Sequence, residues 1–350
     1  MDSYIVALDD MSAEVHFLSR RLRLTHIFPF ISRAVFEGSA DDLGGYAATA
    51  VRVTSVSAAL YRAKAAVQCP DYPIEPFAGS GTTVAVIDTG IEPHVDFMLP
   101  NRLKAFIDLI SGKESPYDDN GHGTAVTGAL AGNGLMSGGR YAGVASGANI
   151  VAIKALDADG EGSTADILQA MQWVWSNAET YGIRIVCMSF GATPAAKRDP
   201  LAAGVKALHS RGLTVVASAG NGGPEHGTVM SPGISPYAIT VGGARIAGDK
   251  AEVSDFSSRG PCNGIAKPDL LAPAEDIVCP EKRDYAPFSG TSIAAPIVAG
   301  ACARIVSAHP GFTPDRVKEE LKKHAGAMPG SIDDVGAGLL CMSRAEDELV

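Results

Sequence analysis

"TVAVID", Thr83–Asp88, is an apolar run that ends on a carboxylate. A run without polar alternation reads as a strand buried on both faces, the condition of a strand inside a parallel sheet. Four similar runs follow: "NIVAIKAL" (149–156), "IRIVCMSF" (183–190), "LTVVASAG" (213–220) and "AITVGGA" (238–244). Helix-like stretches separate them near 122–131, 164–177 and 200–211, and another is expected over 292–308. The alternation predicts an α/β fold: a doubly wound, mainly parallel sheet flanked by helices. Pro296 is expected near the start of the last helix, where a missing N–H costs least.

Upstream the pattern differs. Residues 4–63 alternate short strand-like and helix-like pieces, "YIVAL", a helical stretch over 12–22, "ISRAVFEG", "ADDLGGYAATA" and "VRVTSVSAALYRA". That order suits a small α+β unit with helices on one face of an antiparallel sheet. "VQCPDYPIEPFAGSG" (67–81) is crowded with Pro and Gly and marks an exposed boundary open to proteases. The expected division is therefore 1–66, 67–81 and 82–350.

Composition narrows the function. A net charge of −10 over 350 residues opposes a general nucleic-acid or anionic-membrane binder, which needs positive potential on one face. The one basic cluster, "SRRLRL" (19–24), reads as the solvated side of a helix. No unbroken apolar run reaches the roughly 18 residues that a transmembrane helix needs. The acidic start "DSYIVALDD" lacks the basic and apolar regions of a secretory signal, so a cytoplasmic protein is expected if Met1 is the native start and a secreted one if the chain has been trimmed. Six scattered cysteines contain no C-x-x-C pair. Free thiols are the simpler reading, with a Cys262–Cys279 bridge as the alternative.

In doubly wound sheets the site forms beyond the carboxyl ends of the strands. Asp88 ends the first strand, Asn221 follows "VVASAG", and His122 opens a helix in "DDNGHGTAVTGALAG". Ser292 stands in "FSGTSIAAPIVAG" (288–300) at the mouth of an apolar helix. Each has an ordinary explanation: a turn cap at Asp88, a left-handed turn at Asn221, an exposed histidine, a helix cap at Ser292. As a set they supply a nucleophile, a base, a carboxylate to orient the base, and oxyanion donors.

"VIDTGI", "NGHGTAVTGALAG", "SAGN" and "SGTSIAAPIVAG" resemble, in this order, the Asp, His, oxyanion and Ser motifs of the subtilisin-like serine proteases. "AEVSDFSSRGP" and "AKPDLLAPA" resemble the segments between the last two, and the likeness runs from about residue 82 to 321. It implies a serine endopeptidase with Ser292 as nucleophile, His122 as general base and then acid, and Asp88 orienting His122. The Asn221 side chain and the Ser292 N–H would hold the oxyanion. Substrate backbone would lie between Ser189, Phe190 and Gly191 on one side and Asp159, Gly160 and Gly162 on the other. Ala219 and Gly220 would line the S1 pocket, their small size leaving room for a sizeable P1 side chain.

The same resemblance makes the N-terminal unit a ferredoxin-like propeptide that assists folding and blocks the cleft. Its removal by Ser292 is expected between Tyr61 and Gly79. The expected partners are polypeptide substrates and the protein's own propeptide, with no nucleic acid and no membrane. No cofactor is required for the chemistry, and a structural calcium ion is left open. Secreted subtilisins usually carry a calcium-binding insertion after the histidine helix; here "AGNGLMSGGRYAGVA" (131–145) is short and without a carboxylate, as in intracellular-type alkaline proteases. "DADGEGSTADIL" (157–168) has acidic residues at calcium-loop positions but Leu168 where a glutamate is needed.

Other classes fit less well. An α/β-hydrolase esterase would carry G-x-S-x-G, whereas Ala294 stands where the second glycine belongs. A dinucleotide-binding turn would carry G-x-G-x-x-G into a helix, but "AGNGGPEHG" runs into Pro224. The remaining alternative is a pseudoprotease or permanently inhibited binding module.

Overall fold

A computed structural model describes residues 2–7, 14, 17–28, 33–46, 51–52, 63–64, 66–67, 78–194, 199–248 and 250–342. The chain divides into two compact units, Met1–Ser57 and Ala58–Val350.

In the first unit, strands β1 (Asp2–Ala7), β2 (Arg23–Phe28), β3 (Arg33–Gly38) and β4 (Val51–Arg52) form an antiparallel sheet in the order β2-β3-β1-β4. β3 lies between β1 and β2, the split β-α-β arrangement of a ferredoxin-like sheet. Leu18, Leu22, Phe36 and Leu43 are buried in this unit. Residues 12, 13, 15 and 16 of the helix expected over 12–22 and most of the last segment, 51–63, lie outside the described residues.

The second unit is built on β5 (Thr83–Asp88), β6 (Leu103–Asp108), β7 (Asn149–Lys154), β8 (Ile183–Met188), β9 (Thr214–Ser218), β10 (Ala238–Ala247) and β11 (Lys250–Val253), in the order β11-β10-β9-β8-β5-β7-β6. Every neighbouring pair is parallel except β10 with β11, and β12 (Leu270–Pro273) also runs parallel to β10. The chain winds from β5 to β7 and β6 on one side and to β8, β9 and β10 on the other. β5 is thus the topological switch point, and a crevice opens at its carboxyl end, at Asp88.

Helices cover both faces. α1 (His122–Ala131) and α4 (Thr291–Ala308) share one core with Val84, Val86, Ile150 and Ala152. α2 (Thr164–Tyr181) and α3 (Pro200–Ser210) share the other with Ala85, Ile87, Val151 and Ile153. Alternate residues of β5 and β7 therefore feed opposite cores, which is why those strands read as continuous apolar runs. α2 starts at a Ser163–Asp166 capping box and ends at Gly182 in the left-handed conformation. α4 is long and apolar enough to cross a membrane, but 83% of that window is buried in the core.

Four departures from the sequence expectations have a clear physical cause. Edge strand β6 was missed because its residues are only partly buried and lack a continuous apolar signature. β13 (Ile277–Glu281) and β14 (Asp284–Phe288) form a hairpin that Pro280 and Pro287 disguise. Pro296 stands inside α4, at a position whose N–H would have bonded the Ser292 carbonyl, rather than in the first turn. Ala63 and Val67 pack in the core of the second unit, and Val67 accepts a bond from Met342 N–H, so the second unit begins before residue 67.

Candidate active site

Asp88 closes β5 and is almost fully buried. Its Oδ1 accepts the Thr89 N–H at 2.8 Å and lies 2.7 Å from His122 Nδ1. A carboxylate only accepts, so Nδ1 carries the proton and Nε2 is left with a lone pair, the tautomer of a general base. Burial pushes the imidazolium pKa down, but the Asp88 charge and hydrogen bond, with Asp118 behind them, override this and hold it above the usual histidine value.

The first turn of α1 is held by side chains. Asn120 Oδ1 accepts the His122 N–H, Thr89 Oγ1 that of Gly123, and Asp118 Oδ2 that of Thr124. These would otherwise be orphan donors of a helix start. Asp118 Oδ1 in turn accepts the Thr89 hydroxyl and the Gly121 N–H. Behind the dyad, fully buried Lys154 donates to Thr89 O, Leu156 O and Asp119 Oδ1. The sequence reading missed Thr89, Asp118, Asp119 and Lys154. Lys154 carried a signal, since a lysine in a strand buried on both faces must have partners.

Ser292 is the second residue of α4; the cap position belongs to Gly290, so the Ser292 side chain is not the cap. The capping explanation of Ser292 thereby fails. Gly290 has φ of 144°, and a Cβ there would lie 3.1 Å from Ser292 Oγ and 3.2 Å from Asn221 Nδ2. The nucleophile and the oxyanion amide thus converge on one bare stretch of backbone. Asn221 Oδ1 accepts both the N–H and the hydroxyl of Thr291, at 3.0 and 2.9 Å, which turns Nδ2 the other way. Thr291 Oγ1 also accepts the Gly220 N–H at 3.2 Å.

Helix packing relates the two halves. α1 and α4 pack on each other, both starting at the carboxyl end of the sheet. A Cβ at Gly300 would lie 3.1 Å from the Leu130 carbonyl. Leu130 follows His122, and Gly300 follows Ser292, by the same eight residues along their helices.

The remaining expected residues sit around this centre. Ser189 is buried with its Oγ 3.5 Å from Cys187 Sγ, Phe190 is partly buried, and Gly191 is exposed. Asp159, Gly160 and Gly162 are exposed in a loop joined to the histidine loop by Asn120 Nδ2 donating to Ala158 O at 2.9 Å. Ala219 is buried, and Gly220 has φ of 104°. Cys187, Cys262, Cys279 and Cys302 are in no disulfide, so the Cys262–Cys279 alternative is corrected.

No group of three or more His, Cys, Asp or Glu side chains placed to hold a metal occurs among the described residues, the two loops considered for calcium included. Asp157 Oδ1 already accepts the Asp159 and Glu161 N–H groups. Beside the short loop after α1, buried Asp96 accepts the Met136 N–H on Oδ1 and the Tyr285 hydroxyl on Oδ2. Donors thus engage both Asp96 oxygens and Asp157 Oδ1, and Asp96 in particular does not fit a cation.

A buried carboxylate orienting a histidine, with a serine at a helix mouth beside an amide donor on a doubly wound sheet, defines a serine hydrolase of the Asp–His–Ser type. Residues 79–338 match the subtilase family, and the chain belongs to it. It is 40% identical over 271 residues to "Serine protease AprX" of Bacillus subtilis (strain 168), covering 70% of this chain and 61% of AprX. It is 33% identical to "Subtilisin Savinase" of Lederbergia lenta, covering 78% of this chain and 94% of that protein. The solved structure of "S41 Psychrophilic Protease" overlays with a TM-score of 0.68 at 30% identity, covering 75% of this chain and 92% of that one. The "Sphericase" structure gives a TM-score of 0.65 at 29% identity, covering 75% and 92%. The catalytic unit is therefore that of a serine endopeptidase acting on polypeptides, and its chemistry requires no cofactor.

Proposed function

We propose that the whole chain is a zymogen of a subtilisin-like endopeptidase that removes its own N-terminal segment. The observation that carries the reading is the 2.7 Å Asp88–His122 contact, which leaves Nε2 as a base, on the same face of the sheet as the helix that carries Ser292. His122 Nε2 takes the Ser292 proton as Oγ attacks the scissile carbonyl carbon. Negative charge passes to the carbonyl oxygen, held by Asn221 Nδ2 and the Ser292 N–H, while Asp88 offsets the charge on the imidazolium. The intermediate collapses to an acyl-serine as His122 protonates the leaving amine, and water repeats the sequence in reverse.

Residues 1–66 act as propeptide, although Ala63 packs in the core of the second unit, with 67–81 as the processing region and 82–350 as the catalytic domain. The ferredoxin-like strand order of the first unit supports this. Substrate backbone pairs with Ser189–Phe190–Gly191 and with Asp159, Gly160 and Gly162, whose exposed loop supports that role. The net charge of −10 supports a protein without nucleic-acid or membrane partners. Cysteines outside disulfides support a reducing, cytoplasmic setting.

The test is the mass of the purified chain over time, with and without a serine-directed phosphonate. Loss of about the first sixty to eighty residues, proteolysis blocked by the phosphonate, and label on Ser292 are expected. Maturation of the Ser292→Ala protein on its own would overturn self-processing. A folded, unlabelled and inactive wild type would favour a permanently inhibited binding module.

A further inference from the structure

We infer that Met230 fills the specificity pocket next to the oxyanion donors and restricts the residue before the scissile bond to small side chains. This rests on the endopeptidase reading above and adds the substrate class. Two glycines point to it. A Cβ on Gly220 would lie 2.7 Å from Met230 Cγ and 2.9 Å from its Sδ. A Cβ on Gly191 would lie 2.7 Å from the same sulfur and 2.9 Å from Met230 Cβ. One thioether therefore occupies the space that both glycines leave bare, against two separate segments of backbone.

The backbone beneath it is pinned to both segments. Met230 N–H donates to Ala219 O at 2.8 Å, and Ser231 exchanges two bonds with Ala192, at 2.8 and 2.9 Å. Gly220 immediately precedes Asn221, and its own N–H is bonded to Thr291, the neighbour of Ser292. A peptide whose carbonyl oxygen sits at Asn221 must send its P1 side chain into this slot. The small residues Ala219 and Gly220, read from the sequence as room for a large P1 side chain, instead accommodate Met230. An aromatic P1 group must displace the thioether, whereas alanine need not. Methionine adapts better than a branched residue would, so the barrier is a selectivity rather than a block.

The test uses the full chain after maturation, active enzyme being counted by phosphonate titration, on peptides that differ only at P1 as Ala, Leu or Phe. Wild type is expected to favour Ala over Phe in kcat/KM by about tenfold or more, the scale on which a few methylenes in a pocket discriminate. Met230→Gly is expected to raise the Phe/Ala ratio by about tenfold or more, with Met230→Ala between the two. A wild type that prefers Phe, or titratable variants whose ratio moves by less than about twofold, would overturn the inference while leaving the endopeptidase reading intact. A wild type that neither titrates nor cleaves any of the peptides would overturn both.

Discussion

Asp118 is bonded to Thr89 across the site: the Thr89 hydroxyl donates to Asp118 Oδ1 at 2.9 Å, while Asp118 Oδ2 accepts the Thr124 N–H and hydroxyl at 2.8 and 2.6 Å. One carboxylate thus ties the residue after Asp88 to the helix that carries His122. It touches no reacting atom and acts through position and charge. Asp118→Asn replaces an acceptor oxygen with an N–H₂ facing donors, which costs about 1–3 kcal/mol for hydrogen bonds to a charged group. The expected result is a fall in kcat of about tenfold or more at nearly constant KM, with the acid limb of the pH profile moved down because a negative charge near His122 is lost. A stability loss with an unchanged pH profile would show a merely structural role.

His122 sets the pH dependence of both activity and stability. Its folded pKa is raised, so its imidazolium form adds stability that is fully present below about pH 6.5, its ordinary value, and lost as pH rises through the folded value. The same rise frees Nε2 to act as base. The acid limb of kcat/KM should therefore lie above about pH 6.5, and chemical denaturation should lose a small increment of stability over the same window. Asp88→Asn should abolish the upward shift and lower kcat by about 10⁴, the loss typical when the orienting carboxylate of a serine protease is removed. An acid limb below the ordinary histidine value would contradict the assignment of His122.

Thr291 aims the oxyanion amide. Because it donates twice to Asn221 Oδ1, Thr291→Val should release one of those bonds and let the amide turn, lowering kcat with little change in KM. Asn221→Ala should cost about 10²–10³ in kcat, the figure known from subtilisin, a member of this family. If the Thr291→Val loss persists at full size in the Asn221→Ala background, Thr291 does not act through Asn221.

The legible part of this protein is what local chemistry writes into a short window. β5 and α1 fall where their runs end, because Asp88 stops an apolar strand and Gly132 stops a helix. The four site residues stand in motifs with fixed local geometry. What escaped depends on neighbours distant in sequence. Asp118 reads as one of two acids in a loop until Thr89 and Thr124 meet it. The emptiness of Gly191 and Gly220 reads as space for substrate until Met230, from another segment, occupies it.

Tyr285 satisfies a buried carboxylate, Asp96, with a hydrogen bond. The phenol donates to the buried Asp96 Oδ2 at 2.8 Å, and burial, followed by that carboxylate, raises its own pKa. Tyr285→Phe leaves a buried carboxylate oxygen without this donor, which should cost about 1–3 kcal/mol or more in denaturant unfolding. A chelator should leave kcat unchanged, since no step of the reaction runs through a metal. It should also leave the wild-type Tm unchanged if protein donors satisfy Asp96. A fall in wild-type Tm on chelation, restored by added calcium, would show that an ion stabilises the fold at another place. A Tyr285→Phe protein as stable as wild type would show that Asp96 does not depend on the phenol.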